Sequence, residues 1–220
     1  MREPPRPARG ARTRAALIAA ARTVFERDGY LKARLNDITA EANCATGSFY
    51  THFDSKKAIF AGVLEEAQDE MLHPHVREVT DTEDPIAVIE ASNRAYLEAY
   101  ERNAKLMGLL EQVATIDDDV RELRLRRAAA FHERNARSIR DLQARGLADP
   151  GIDPLLAARS LSTMVSRMAY AVYVLGDHAE QDALVEILTH LWANALRLPM
   201  PAASGVKRKS TRKATAGARA

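Results

Sequence analysis

A run of small polar residues lies in the sequence ATGSFYTH, residues 45–52. Cys44, Phe49 and Phe53 give the same segment an apolar side. A helix that only filled a core would not expose small polar side chains next to one another, so the run predicts a helix that presents one face to another molecule. The polar residues of the run are Thr46, Gly47, Ser48 and Thr51.

Catalytic and metal-binding chemistry finds no support in the residue spacing. The six histidines are scattered, and no cluster of Cys, His or Asp has the spacing of zinc ligands. The sequence contains neither a glycine-rich phosphate loop nor the motif of a nucleophile elbow. We therefore expect neither an enzymatic activity nor a cofactor.

Two short amphipathic helices position the polar run. Leu35, Ile38 and Ala42 form the apolar face of the first helix. Asn43 can make the sharp turn that follows, because asparagine tolerates a positive φ better than any residue except glycine. Two short helices at a sharp angle, the second with an exposed polar N-terminal half, predict a helix-turn-helix at about residues 34–53.

Helices also flank this pair. The preceding helix is predicted from Thr13, which can cap it, to Gly29, which suits a left-handed C-terminal position. A further helix begins at Asp54 or Ser55 and runs to about Leu72. We therefore predict an N-terminal three-helix domain over residues 13–60. The buried stripe of its first helix would be Leu17, Ala20, Ala21, Val24 and Phe25.

The remainder of the chain, residues 61–200, is predicted as a second helical domain. Helices are expected at 85–102, 105–114, from Asp117 to Gly146, and at about 153–175 and 180–198. The helix at about 153–175 is apolar on more than one side, so it must contact two things. One is the core of the domain, and the other is a second copy of the chain, which predicts a homodimer. A monomeric core helix is the alternative.

Composition places the chain among all-α globular proteins. Hydrophobic residues make up 46% of the 220 residues and charged residues 28%, while β-branched runs with regular turn signals are missing. No apolar run reaches the roughly 18 residues that a transmembrane helix needs, so we expect no membrane partner. The single cysteine and an N-terminus without an apolar signal region favour a cytoplasmic protein.

Charge is unevenly distributed along the chain. The net charge is +2, but residues 1–60 carry +5, residues 203–220 carry +6 and residues 61–202 carry −9. This pattern favours a polyanionic partner at the two ends, although a merely uneven surface would look the same. Residues 1–12 are predicted as a disordered basic arm that contacts DNA or only aids solubility, and residues 201–220 as a disordered basic tail.

Residues 37–60, DITAEANCATGSFYTHFDSKKAIF, closely resemble the signature of TetR/AcrR-type transcriptional regulators. The resemblance covers roughly residues 13–65, and the remainder agrees only in length, helix count and the two apolar C-terminal helices. Residues that match the signature at fixed spacing are Ile38, Ala42, Gly47, Phe49, Tyr50, His52, Phe53, Ser55 and Lys56.

Four positions depart from the pattern of this family. Asn43 replaces the turn glycine, and Cys44 replaces a valine, where we interpret it as a small core residue and not as a reactive thiol. Ala45 replaces a serine that would cap the second helix, and the loss of this cap lowers the stability of the helix by about 1 kcal/mol. Arg34 replaces the Thr or Ser cap of the first helix and offers a guanidinium to a phosphate.

The resemblance implies that the second helix of the motif enters the major groove of DNA. Thr46 and Ser48 would then contact base edges, with Thr51 at the margin, and Gly47 would let the backbone approach. The residues that suit phosphate contact are Arg34, Tyr50, His52 and Lys56.

The resemblance also implies a dimer through the last two helices and a pocket for a small effector. An apolar effector would suit the large adaptable side chains on these helices, each of which could equally be ordinary core. The function expected is a repressor that the effector releases from its operator; a helical protein-interaction adaptor without specific DNA binding is the alternative. The candidate pocket residues are Tyr96, Tyr100, Met107, Phe131, Met164 and Met168.

Overall fold

The computed structural model describes residues 7–72 and 83–199, and all regular structure in these ranges is helical. The predicted all-α class, with an N-terminal helix-turn-helix and a helical C-terminal part, is confirmed. The helices of the described part are α1 (Pro7–Lys32), α2 (Leu35–Glu41), α3 (Thr46–Tyr50), α4 (Lys56–Leu72), α5 (Pro85–Arg102), α6 (Ala104–Ala114), α7 (Asp118–Ala144), α8 (Pro154–Tyr173) and α9 (Gln181–Leu196).

The start of α1 differs from the prediction. The helix begins at Pro7 and not at Thr13, so the expectation of a disordered arm is wrong for residues 7–12, while residues 1–6 and the predicted tail at 201–220 lie outside the described ranges. Proline is well tolerated in a first helical turn, where its missing N–H has no partner to lose, and the Ala and Arg residues after it favour helix. Gly29 has the expected positive φ of 77°, but it kinks the helix, which then continues to Lys32.

Large apolar side chains hold the N-terminal helices together. The predicted stripe of α1 is buried, and it packs against α2 and α4. Phe25 and Phe60 meet edge to face with ring centroids 5.1 Å apart, and Tyr30 lies 4.8 Å from Phe60. Because fully burying one such side chain contributes about 1.5–3 kcal/mol, this small domain has a core strong enough to hold short helices in place.

Helices α5–α9 form a bundle that also contacts the N-terminal helices. In it α5 packs against α9 and α7 against α8, while α6 packs against α1 and α4 against α5 and α7. Aspartates cap three of these helices: Asp84 accepts from Ile86 N, Asp117 from Val120 N, and Asp153, the cap that the sequence predicts, from Leu156 N. Across the described residues, none of the helices is both long and apolar enough to cross a membrane.

Candidate nucleic-acid interface and ligand cavity

The turn between α2 and α3 has the geometry that the sequence predicts. Asn43 has a φ of +50°, and the N–H of Cys44 donates to the carbonyl of Thr39 at 3.0 Å. Ile38 on one side of the turn and Phe49 on the other are fully buried. The apolar sides of both helices are therefore clamped to the core, and their polar sides face outward.

The exposed face of α3 carries the polar residues singled out in the sequence. Thr46, Gly47, Tyr50 and Thr51 are exposed, and Ser48 is partly buried. The hydroxyl of Thr51 donates to the carbonyl of Gly47 at 3.2 Å. A Cβ added at Gly47 would meet nothing within 4 Å, so the space above this residue is open to an approaching molecule.

Neither helix of the motif has a side-chain cap. Arg34 precedes α2 and Ala45 precedes α3, and no side chain of either accepts a backbone N–H of its helix. Since α3 has only five residues, its order depends on the buried Phe49 and on the turn at Asn43. Arg34 is exposed, which leaves its guanidinium accessible to solvent.

The N-terminal turns of α1 lie beside the end of α3. A Cβ placed on Gly10 would lie 3.9 Å from Cε1 of His52, which is partly buried. Arg14 lies with its guanidinium carbon 5.3 Å from the ring centroid of Phe53. The start of α1 thus lies beside His52 and Phe53, just after the end of α3, which places Arg14 near the predicted phosphate contact His52.

Lys56, predicted to contact a phosphate, is engaged within the protein. Its ammonium donates to the carbonyl oxygens of Tyr30, Leu31 and Ala33 at 2.8, 3.3 and 3.1 Å, and it lies 4.8 Å from the ring centroid of Tyr30. Burial lowers the pKa of Lys56. An ammonium group has three donors, so a phosphate contact would break one of these bonds. We therefore assign Lys56 to holding the segment after Gly29.

Helix α4 is tied to α7 at two places. Near its start, Lys57 forms ion pairs with Asp117, at 3.4 Å, and with Asp119. Three turns further along, Arg127 Nη1 donates to Gln68 Oε1 at 2.6 Å. Helix α4, which follows directly after the helix-turn-helix, is therefore in direct contact with the wall of the bundle that α7 forms.

A cavity of about 340 Å³ lies between α4, α5, α6, α7 and α8. Its volume is near the lower end of the roughly 300–1,000 Å³ typical of small-molecule sites. Four of the six candidate pocket residues, Tyr96, Tyr100, Met107 and Phe131, line it, and the ring centroids of Tyr96 and Phe131 are 5.8 Å apart. Burial raises the pKa values of both tyrosine hydroxyls, so these walls are neutral.

Met164 and Met168 do not line this cavity. Both are partly buried and pack against the hydrophobic core. The wall that α8 contributes includes Ser162, Ser166 and Tyr170, which follow one another at i, i+4 and i+8, together with Arg159, Thr163 and Arg167. Since Met164 and Met168 are each two residues further along, helical geometry turns them about 200° away from that wall.

The polar part of the cavity wall was not foreseen. Arg124 pairs with Glu111 at 2.7 Å, and burial together with the charge of Arg159 lowers the pKa of His132. The arginine-rich face of α7 looks solvated in the sequence, although Arg124 and Arg127 lie seven and four residues before Phe131 and so share a face with it. The charged lining residues are Glu111, Arg124, Arg127, His132, Arg159 and Arg167.

Two family models match the chain, one in each part. The model of bacterial regulatory proteins of the tetR family matches residues 17–63, and the model of the C-terminal domain of the transcriptional regulator EthR matches residues 89–197. The first covers α2, the turn and α3, and the second covers the bundle with the cavity. The chain belongs to the TetR family of transcriptional regulators.

Known proteins similar to this TetR-family chain include repressors. It is 29% identical over 130 residues to the HTH-type transcriptional repressor BepR of Brucella suis, an alignment that spans 53% of this chain and only 61% of BepR. GusR of Salmonella enterica has a TM-score of 0.72 at 20% identity, with 89% of this chain and all of GusR covered. SmeT, the repressor of the Stenotrophomonas maltophilia multidrug efflux pump SmeDEF, has a TM-score of 0.67 at 21% identity, with 83% of this chain and 89% of SmeT covered. The two structures support the shared fold.

No metal centre is found in the TetR-family fold of this chain as far as the structure describes it. Within residues 7–72 and 83–199, no group of three or more His, Cys, Asp or Glu side chains is placed to hold a metal ion. Cys44 is free and partly buried beside the core, in the position expected for a small apolar residue.

Proposed function

We propose that this TetR-family regulator is a homodimeric repressor in the cytoplasm that binds operator DNA through α3 and is released by a small effector in the cavity. The observation that carries the proposal is the exposed polar face of α3, held outward by the fully buried Ile38 and Phe49. The likeness to BepR supports repression, with the limit that the alignment spans 61% of that repressor.

Base contacts are assigned to the N-terminal half of α3. Thr46 and Ser48 reach base edges in the major groove, with Thr51 at the margin and Gly47 allowing close approach. Short hydroxyl side chains discriminate modestly between bases, so DNA shape contributes a large share of specificity. Residues assigned to phosphate contact are Arg14, Arg34, Tyr50 and His52.

Dimerisation is assigned to α8 and α9. Apolar side chains stand exposed on both helices of the single chain: Leu156 at 62% on α8, and Ile187 at 51% and Leu191 at 42% on α9. Leu175, just after the end of α8, is exposed at 62% as well. A second copy that covers this surface would form an isologous twofold interface, the commonest arrangement in oligomers. Two α3 helices would then face two half-sites of one operator.

Effector release is assigned to the connection between the cavity and α4. Arg127 lines the cavity and also donates to Gln68 on α4, so a ligand that draws Arg127 inward loosens α4. A change in the position of α4 changes the spacing of the two α3 helices. Such a ligand releases DNA only if it binds the released conformation more tightly than the DNA-bound one.

The base-contact assignment is tested with a double variant on α3. Thr46→Ala with Ser48→Ala should change which sequences are selected from a random DNA pool, because the base readers are lost. Ser138→Ala, at an exposed position of α7, is the matched control and should select the same sequences as the wild type. An unchanged selection by the double variant would contradict the assignment. Absence of any selected sequence with the wild type would favour the protein-interaction adaptor.

A further inference from the structure

We propose that the cavity binds an amphipathic anion, with an acidic head group on Arg159 and Arg167 and an apolar body against the tyrosines. This inference rests on the proposed function, in which the same cavity holds the effector. It replaces the purely apolar effector expected from the sequence by a defined chemical class: a carboxylate, sulfonate or phosphate on an aromatic or aliphatic skeleton.

The charges on the cavity wall are unbalanced. Arg124 is neutralised by Glu111, and Arg127 bonds Gln68 and is attracted by Glu65 and Asp69. Within the described residues, neither Arg159 nor Arg167 has a carboxylate within ion-pair distance. Two guanidinium groups are therefore available to a ligand, and they would repel a cationic one.

Both of these arginines lie on α8 and are exposed, so they stand at the mouth of the cavity. Eight residues separate them, which is about 12 Å along a helix. The guanidinium carbon of Arg167 lies over the ring of Tyr170, 4.8 Å from its centroid, a contact that helps to order the guanidinium. An acidic group at the mouth can reach one or both guanidinium groups while it keeps contact with water.

Hydroxyl groups lie between the two arginines on the same wall. Ser162 accepts from Nδ2 of Asn135 at 2.9 Å, which leaves its own proton to donate to a ligand oxygen. Ser166 donates to the carbonyl of Thr163 at 3.0 Å and keeps its lone pairs. This wall thus offers both a donor and acceptors to a polar head group, whereas a purely apolar ligand would leave the Ser162 proton and the Ser166 lone pairs unused.

The opposite wall is apolar. The rings of Tyr96 and Tyr100 are 5.9 Å apart, and Met107 and Leu110 complete this side. Aromatic rings and a methionine side chain adapt to a flat or flexible skeleton. The site therefore has two distinct halves, a basic mouth and an apolar interior, and an amphipathic anion matches both.

Two fluorescent dyes test the class of ligand. Anilinonaphthalene sulfonate is an amphipathic anion, and N-phenylnaphthylamine has the same rings without the sulfonate. Each is titrated against the full chain without DNA, for the wild type, Arg159→Gln and Arg167→Gln, at low and high salt. Arg137→Gln, an exposed arginine of α7 outside the cavity lining, is the matched control.

We expect the wild type to bind the sulfonate dye, and each cavity variant to bind it about tenfold more weakly, with unchanged affinity for the neutral dye. High salt should weaken only the sulfonate dye. Unchanged affinity for the neutral dye also shows that the variants keep a folded cavity.

The proposal is overturned if the wild type does not bind the sulfonate dye, if both dyes weaken equally, or if Arg137→Gln has the same effect as the cavity variants. Its failure differs from failure of the proposed function. Sulfonate binding that needs Arg159 and Arg167 but never displaces bound DNA upholds the anionic class and contradicts effector release. If only the neutral dye displaces bound DNA, that result upholds effector release and contradicts the anionic class of ligand.

Discussion

Replacing Lys56 by methionine separates a structural role from a DNA contact. The change keeps most of the aliphatic stem and removes the ammonium, which donates to three carbonyl oxygens between Tyr30 and Ala33. A hydrogen bond from a charged donor contributes about 1.5–3 kcal/mol. Burial of the ammonium, which lowers the pKa of Lys56, offsets part of that gain.

The three bonds share one donor group, so their contributions do not add. We expect Lys56→Met to lower the free energy of unfolding by about 2 kcal/mol, which corresponds to a fall in the unfolding midpoint of about 4–8 °C for a chain of this size. Thermal unfolding followed by far-UV circular dichroism measures this change. Lys105→Met, at an exposed lysine of α6, is the control and should leave the midpoint within about 1 °C.

DNA binding supplies the refuting result for Lys56. If the ammonium contacts a phosphate instead, Lys56→Met should leave the unfolding midpoint unchanged. It should also weaken binding to all sequences and reduce the slope of log affinity against log salt by about one. That combination would show the reasoning from the carbonyl contacts to be wrong.

Three other substitutions test separate parts of the proposal. Ile187→Glu should convert the dimer to monomers in sedimentation velocity, because the substitution would bury a charge in the interface. Ser138→Glu is the control and should leave the dimer intact. A dimer that survives Ile187→Glu would place the interface elsewhere. Tyr50→Phe should weaken binding to every DNA sequence alike, roughly three- to tenfold, and an altered ranking of sequences in competition assays would make Tyr50 a base reader. Burial and the neighbouring Arg159 lower the pKa of His132, so its contribution to stability is complete above about pH 6.5 and is lost as pH falls through the folded-state pKa. His132→Gln should therefore flatten the fall of the unfolding midpoint between pH 7 and 5, whereas His178→Gln should not. An equal fall of the midpoint in both variants would contradict this reasoning.

Local signals in the sequence predicted most helix bounds. Asp153 followed by Pro154 gave the start of α8, and Asn43 gave the turn with its positive φ. These features depend on residues within one turn of each other, so neighbouring residue types are enough to predict them. The prediction for the start of α1 is wrong for a local reason too: a proline near the N-terminus favours disorder in the sequence, but Pro7 is a first-turn residue of the helix.

Long-range contacts could not be predicted in this way. Lys56 and Tyr30 are 26 residues apart, and only the packing of α4 against α1 brings the ammonium to the carbonyl groups. The cavity has the same difficulty: which side of α8 faces inward depends on how α7 packs against it. Met164 and Met168 looked suitable by chemistry, but the packing directs Arg159 and Arg167 to the cavity.

The most direct test of the central claim is a fluorescence anisotropy titration of the wild-type chain against labelled DNA from upstream of its own gene. A scrambled duplex of equal length is the competitor, and the titration is run at low and high salt. We predict two chains per duplex, a strong preference over the scrambled duplex, and an affinity that falls steeply as salt rises. Equal binding to both duplexes, or no binding at low salt, would contradict the claim that the exposed face of α3 reads an operator.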